Sequence, residues 1–142
     1  MTGKIPKKNP RPVVDEYGRK KLHYAADKGD IELVKKLIVE GIDVNSQDDN
    51  GWTPLHFAAQ MNEFDVIDYL LSKNANPNLV DSHGNGPLWT ATMNAQGKFR
   101  GVEAILKAGA DPKHVNKHGR SPLDMANTIQ NGLDAIYEKH IG

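Results

Sequence analysis

The chain has 142 residues, 18 of them basic and 18 acidic, so its formal net charge is zero, and it contains no cysteine. The missing cysteines exclude a disulfide framework, thiolate metal sites and thiol nucleophiles, and neutrality argues against a nucleic-acid binder, which carries a basic excess on one face. No stretch reaches the ~18 uninterrupted apolar residues of a membrane span, so the expectation is a single soluble, cytoplasmic domain.

Residues 1–14, MTGKIPKKNPRPVV, hold Lys4, Lys7, Lys8 and Arg11 among Pro6, Pro10 and Pro12, with no acid. Prolines at this spacing forbid a helix, and the segment reads as an extended basic arm. It lacks the apolar run of a secretory signal. From Asp15 onward the chain repeats itself. Leu22, Leu55, Leu88 and Leu123 head four copies at steps of 33, 33 and 35 residues, with boundaries near 15–47, 48–80, 81–115 and 116–142. A period of this length points to a solenoid, in which each unit buries its apolar face only by stacking on a neighbour.

In the first copy Ile31, Val34, Leu37 and Ile38 mark one face of a second helix, and Lys20-Lys21 stands where the next copy has Thr53-Pro54. Charge at that point suits an end unit with water on one side. The second copy is the complete one. Asp48 to Gly51, DDNG, predicts a tight turn, because Asn-Gly tolerates positive φ. Thr53 and Pro54 then predict a cap and first residue for a short helix. A second helix follows over Asn62 to Asn74, with Phe64, Ile67, Leu70 and Leu71 on one face and Asn74 as a left-handed terminator.

In the third copy Gly86 and Trp89 replace the Thr and the His of the second, and two extra residues fall within Thr92 to Lys98, before the face Phe99, Val102, Ile105 and Leu106. The longer loop is expected to shield the stack or to reach toward a partner. The fourth copy turns polar after Leu133 and Ile136, ending in Lys139 and His140, and reads as the closing cap.

The stretches TPLHFAA at 53–59, KLHYAA at 21–26, GPLWTA at 86–91 and SPLDMA at 121–126, with GIDVN, NANPN and GADPK closing three copies, resemble ankyrin repeats over Asp15 to about Ile141. The resemblance implies an all-α solenoid of four helix-turn-helix repeats, hairpin fingers along one edge, and partner binding on the fingers and the concave inner-helix face. It also implies that His23 and His56 bond the backbone of adjoining turns. Asp43-Val44-Asn45 and Asn76-Pro77-Asn78 are similar to sites of asparagine hydroxylation in such repeats, where Asn also serves simply as a structural residue.

Candidate chemistry is thin. His83 and His118 each precede a turn glycine and His114 lies four residues before His118, but a metal site also needs a third and fourth ligand in tetrahedral reach. Asp43, Asp48 and Asp49 miss the spacing of a calcium loop. Ser46, Ser72, Ser82 and Ser121 have turn or cap roles, and no triad, phosphate loop or cofactor site is expected, so the chain reads as non-catalytic. The side chains that packing does not explain form the predicted contact strip. On the fingers these are Tyr17, Arg19, Asp49, Asn50, Trp52, His83, Asn85, Lys117 and Arg120, and on the concave side Gln60, Met61, Met93 and Asn94; Trp89, in the place of the His, is a further candidate whose other reading is burial between copies. Trp52 is the expected aromatic anchor, with packing on the neighbouring finger as its other reading.

Charge is uneven along the chain. Residues 42–97 carry one basic and seven acidic side chains, against ten and six over 1–41 and seven and five over 98–142. An acidic centre suits a partner with a basic patch, or is merely a solvated face. The leading expectation is a monomeric module that neutralises one cognate protein by occupying it, as immunity or inhibitor proteins do. The alternative is a regulatory scaffold with several partners, and a third reading is nucleic-acid or lipid contact through the basic arm.

Overall fold

The computed structural model describes residues 14–141. The basic arm expected over 1–14 therefore lies, but for Val14, outside the described residues. Eight helices follow one another: α1 (Lys21–Lys28), α2 (Ile31–Val39), α3 (Pro54–Gln60), α4 (Phe64–Ser72), α5 (Pro87–Met93), α6 (Arg100–Lys107), α7 (Pro122–Ile129) and α8 (Leu133–Ile141). They form four hairpins, and the described residues include no strand. The first helices α1, α3, α5 and α7 pack side by side in one layer, and α2, α4, α6 and α8 form a second layer against it.

The helices start where the sequence supplies partners for the free N–H groups of a first turn. Thr53 Oγ1 accepts from His56 N at 3.2 Å and His56 Nδ1 accepts from Thr53 N at 3.1 Å, a reciprocal cap ahead of Pro54. Ser121 and Asp124 repeat it at 3.1 and 2.9 Å. α1 keeps half of the device, with His23 Nδ1 accepting from Lys20 N at 2.9 Å. At the predicted second helix of the second copy, Asn62 proves to be a left-handed linker (φ 55) rather than helix, while Asn74 ends the element at φ 66 as expected. In the DDNG turn only Gly51 takes positive φ (83). A Cβ there would stand 2.9 Å from Asp81 Cα in the next finger.

Leu22, Leu55 and Leu88 are buried with Ala25-Ala26, Ala58-Ala59 and Ala91 beneath them. Small residues at these points let the first helices of neighbouring hairpins approach closely. In the second layer Val34 and Leu37, Ile67 and Leu70, and Val102 and Ile105 are fully enclosed. Ile31, Ile38, Leu71 and Phe99 are partly buried around them.

At the C-terminal half one open expectation is decided and another is corrected. The longer loop of the third copy is held against the second hairpin, since Asn62 Nδ2 donates to Ala95 O at 3.2 Å and Lys98 O at 3.4 Å. It shields the stack rather than projecting from it. The fourth copy is less polar than its sequence suggests, because Tyr137 is completely buried and its hydroxyl lies 2.5 Å from Thr92 Oγ1, which itself donates to Leu88 O at 2.7 Å. Burial pushes the Tyr137 phenol far above its ordinary pKa.

Candidate partner-binding groove

Each hairpin is preceded by a turn built on one acceptor side chain. Asp15, Asp48, Asp81 and Asn116 each accept, through Oδ1, from the backbone N–H groups two and four residues on. The distances are 2.9 and 2.9 Å, 2.9 and 2.8 Å, 2.9 and 3.0 Å, and 2.8 and 3.1 Å respectively. These carboxylates and the amide close the turns that carry the finger tips, an Asx-turn device.

The same side chains also join the fingers. Arg19 Nε donates to Asp48 Oδ2 at 3.2 Å, Trp52 Nε1 donates to Asp81 Oδ2 at 3.0 Å, and Asn116 Nδ2 donates to Asn85 Oδ1 at 2.9 Å. The residue after each turn glycine therefore meets the hub of the next finger. At the tips the backbone does likewise: Asp49 N, Ser82 N and Lys117 N donate to the carbonyls of Tyr17, Asn50 and His83 at 2.9, 2.9 and 3.0 Å. A second row on the finger stems uses asparagine, with Asn45 Oδ1 accepting from Asn76 N and Asn78 Oδ1 from Asp111 N. Asn45 and Asn78 are thus held as structural residues.

Beneath this ladder the two histidines act as staples. His23 Nε2 donates to Ser46 O at 2.9 Å and Trp52 O at 3.0 Å, and His56 Nε2 donates to Asn85 O at 3.0 Å. Because Nδ1 of each accepts from a backbone N–H, the proton must sit on Nε2. Burial lowers both imidazole pKa values, so the neutral form is the one built in. The structural role implied for these residues is what the geometry has.

Fingers and first helices together enclose an open groove of about 520 Å³. Of the predicted contact strip, Arg19, Asn50, Trp52, His83 and Asn85 line it from the fingers, and Gln60, Trp89, Met93 and Asn94 from the helices. Asp48, Phe57, Asp81, Ser82 and Thr90 line it too and lay outside the predicted strip. Tyr17, Asp49, Met61, Lys117 and Arg120 do not line the groove. Tyr17 is 50 % exposed beside it, with the Arg19 guanidinium 4.9 Å from its ring, and Met61 is 51 % exposed at the end of α3. Lys117 and Arg120 belong to the last finger, beyond the groove.

Trp52 is partly buried, stacked on His56 at 5.3 Å and edge-on to Phe57 at 4.9 Å, so it packs into the finger row and offers only part of its ring. The central acidity is likewise redistributed. The carboxylates of Asp48 and Asp81 are buried and engaged as hubs, and Asp65 and Asp68 lie exposed on α4 in the second layer, which leaves Asp43 and Asp49 as the exposed acids of the central fingers. Groups of His, Asp and Glu able to hold a metal ion are absent among the described residues.

Stacked helical hairpins with interlinked fingers closed by Asp and Asn side chains define a helical-repeat solenoid. A family model described as ankyrin repeats in three copies matches residues 22–116, more than half of the chain. The protein belongs to the ankyrin repeat family, whose repeats are generally non-catalytic protein-interaction modules. The fourth hairpin, α7 and α8, lies almost wholly beyond the matched residues and repeats the Ser-Pro cap and buried Ala126 of the pattern. No curated protein matches the chain. No described helix is long and apolar enough to cross a membrane.

Proposed function

We propose that the protein is a non-catalytic module that seizes one partner protein along the groove and acts by covering a functional surface of that partner, in the manner of an inhibitor or immunity protein. The observation that carries this reading is the make-up of the groove. Its walls are held rigid by the interfinger ladder, while Asn50, Gln60, Ser82 and Asn94 present uncharged hydrogen-bonding groups around Met93, which is 43 % exposed. Neutral polar groups around an apolar contact on a preorganised frame favour a folded protein surface over a small solute, because little ordering entropy is lost on binding.

The test is affinity purification of the tagged protein from its natural host, followed by mass determination of whatever complex forms. One partner at fixed stoichiometry, lost on Met93→Glu, supports occupancy. A spread of weak partners would favour the scaffold reading, and an unchanged complex with Met93→Glu and Gln60→Arg would remove the groove as the site.

A further inference from the structure

Two repeat positions in the third hairpin depart from their counterparts, and a crevice lies beside them. Thr53 and Ser121 cap their helices, and His23 and His56 tie the following finger through its backbone. The third hairpin has Gly86 and Trp89 at these positions, so α5 begins without a side-chain cap. No imidazole reaches the carbonyl of Arg120, which corresponds in register to those of Trp52 and Asn85. Between the third and fourth fingers a crevice of about 260 Å³ remains, lined by Pro77, Leu88, Trp89 and Pro122 together with Asp111 and His114.

Backbone geometry does not require the glycine. Gly86 has φ −94 and ψ 178, open to any residue. A Cβ would meet the carbonyl oxygens of Pro77 and Leu79 at 3.5 and 3.6 Å, ordinary contact. What glycine provides here is space beside Pro77.

Charge on the last finger, which borders the crevice through Asp111 and His114, distinguishes it from the other fingers. The second position of the four turns reads Glu16, Asp49, Ser82 and Lys117, from acid to base. On the last finger Lys113, Lys117 and Arg120 are exposed, and none of them forms a salt bridge among the described residues. The neighbouring acids Asp111 and Asp124 each accept from a backbone N–H, of Lys113 and of Ser121, both at 2.9 Å.

We infer that the crevice receives one apolar side chain from an acidic segment of the partner protein, with flanking carboxylates facing Lys113, Lys117 and Arg120. This rests on the protein-binding reading and names the chemistry of what binds. The volume falls below the roughly 300–1,000 Å³ of small-molecule sites and suits a single anchoring side chain, the kind of contact that dominates interface energetics. Carboxylates beside it find cations that form no salt bridge among the described residues.

The test titrates the isotope-labelled full chain with short synthetic peptides and follows the indole N–H resonances of its two tryptophans. A Glu-rich peptide with a central Phe is expected to shift the Trp89 indole and the amides of the last finger, and to leave the Trp52 indole, bonded to Asp81, in place. Replacing that Phe by Ala is expected to weaken binding about tenfold, and a Lys-rich peptide with the same Phe is expected not to bind. Gly86→Thr, which restores the cap and fills the space beside Pro77, should bind the Phe peptide about tenfold more weakly while melting above the parent, so that lost binding is not lost folding. No shift at Trp89 at millimolar peptide, or equal binding by Gly86→Thr and parent, overturns the inference. Shifts at Asn50, Gln60 and Met93 instead would overturn the crevice while leaving the groove intact, whereas failure of the protein-binding reading shows separately as the absence of any complex with a host protein.

Discussion

The indole nitrogen of Trp52 donates to the carboxylate of Asp81 at 3.0 Å across adjoining fingers, while the other oxygen of that carboxylate closes the turn of its own finger. One side chain thereby sets both the shape of a finger and its spacing from the previous one. The first prediction follows from this pair. Trp52→Phe keeps most of the ring packing but removes the donor, and should cost about 1–2 kcal/mol of stability. Asp81→Ala removes three acceptor contacts and should cost more, about 3 kcal/mol. Chemical denaturation of both variants checks the order, and a Trp52→Phe protein as stable as the parent would show that the link contributes nothing.

The aromatic at position 52 was legible in the sequence as something unusual, but not the bond that holds it. The repeat period, the helix caps at Thr53 and Ser121 and the buried faces follow from residue spacing, since they depend on contacts three and four residues apart. Of the hubs, Asp48 was visible only as part of the DDNG turn and Asp81 and Asn116 went unread, although the recurrence of all three ahead of Gly51, Gly84 and Gly119 carried the signal. Their second bonds span about one repeat, and local patterning is blind to partners at that separation. Tyr137 was missed for the same reason: its partner Thr92 is 45 residues away.

Acid should weaken the fold through the staples. Burial depresses the imidazole pKa values of His23 and His56, whereas in the unfolded chain histidine titrates near ~6.5. Above that value both states are neutral and this contribution is fully present. As the pH falls below it, the unfolded chain takes up protons that the folded one refuses, and stability declines until the folded values are reached. The melting temperature should hold between about pH 8 and 7 and fall from about 6.5 downward. In His23→Gln, His56→Gln the protein should be less stable at neutral pH and lose this slope. A slope that survives the double substitution would assign it to other groups.

Gly86→Thr should raise stability by about 1 kcal/mol, from a less flexible unfolded chain and a new helix cap. Thermal unfolding measures it directly. A fall in stability would mean that a side chain at position 86 is not accommodated beside Pro77.

Tyr137→Phe should cost about 1 kcal/mol for the lost bond to Thr92, and Tyr137→Ala about 3–5 kcal/mol for the cavity left in the last hairpin. Equal stability of the Ala variant and the parent would show that α8 does not close the stack.

Asn62→Gly keeps the left-handed backbone available but deletes the amide that holds the loop between α5 and α6. Hydrogen exchange at Gln96, Gly97 and Lys98 should accelerate while exchange in α4 stays as it was. Unchanged exchange in that loop would contradict the clamp.

The groove itself is tested most directly by hydrogen exchange on the complex with the partner obtained from the host. Protection at Asn50 to Trp52, Ser82 to Asn85 and the C-terminal turn of α5, with α2, α4 and α6 unaffected, is the predicted footprint. Protection confined to those second-layer helices, with the fingers as exposed as in the free protein, would contradict it.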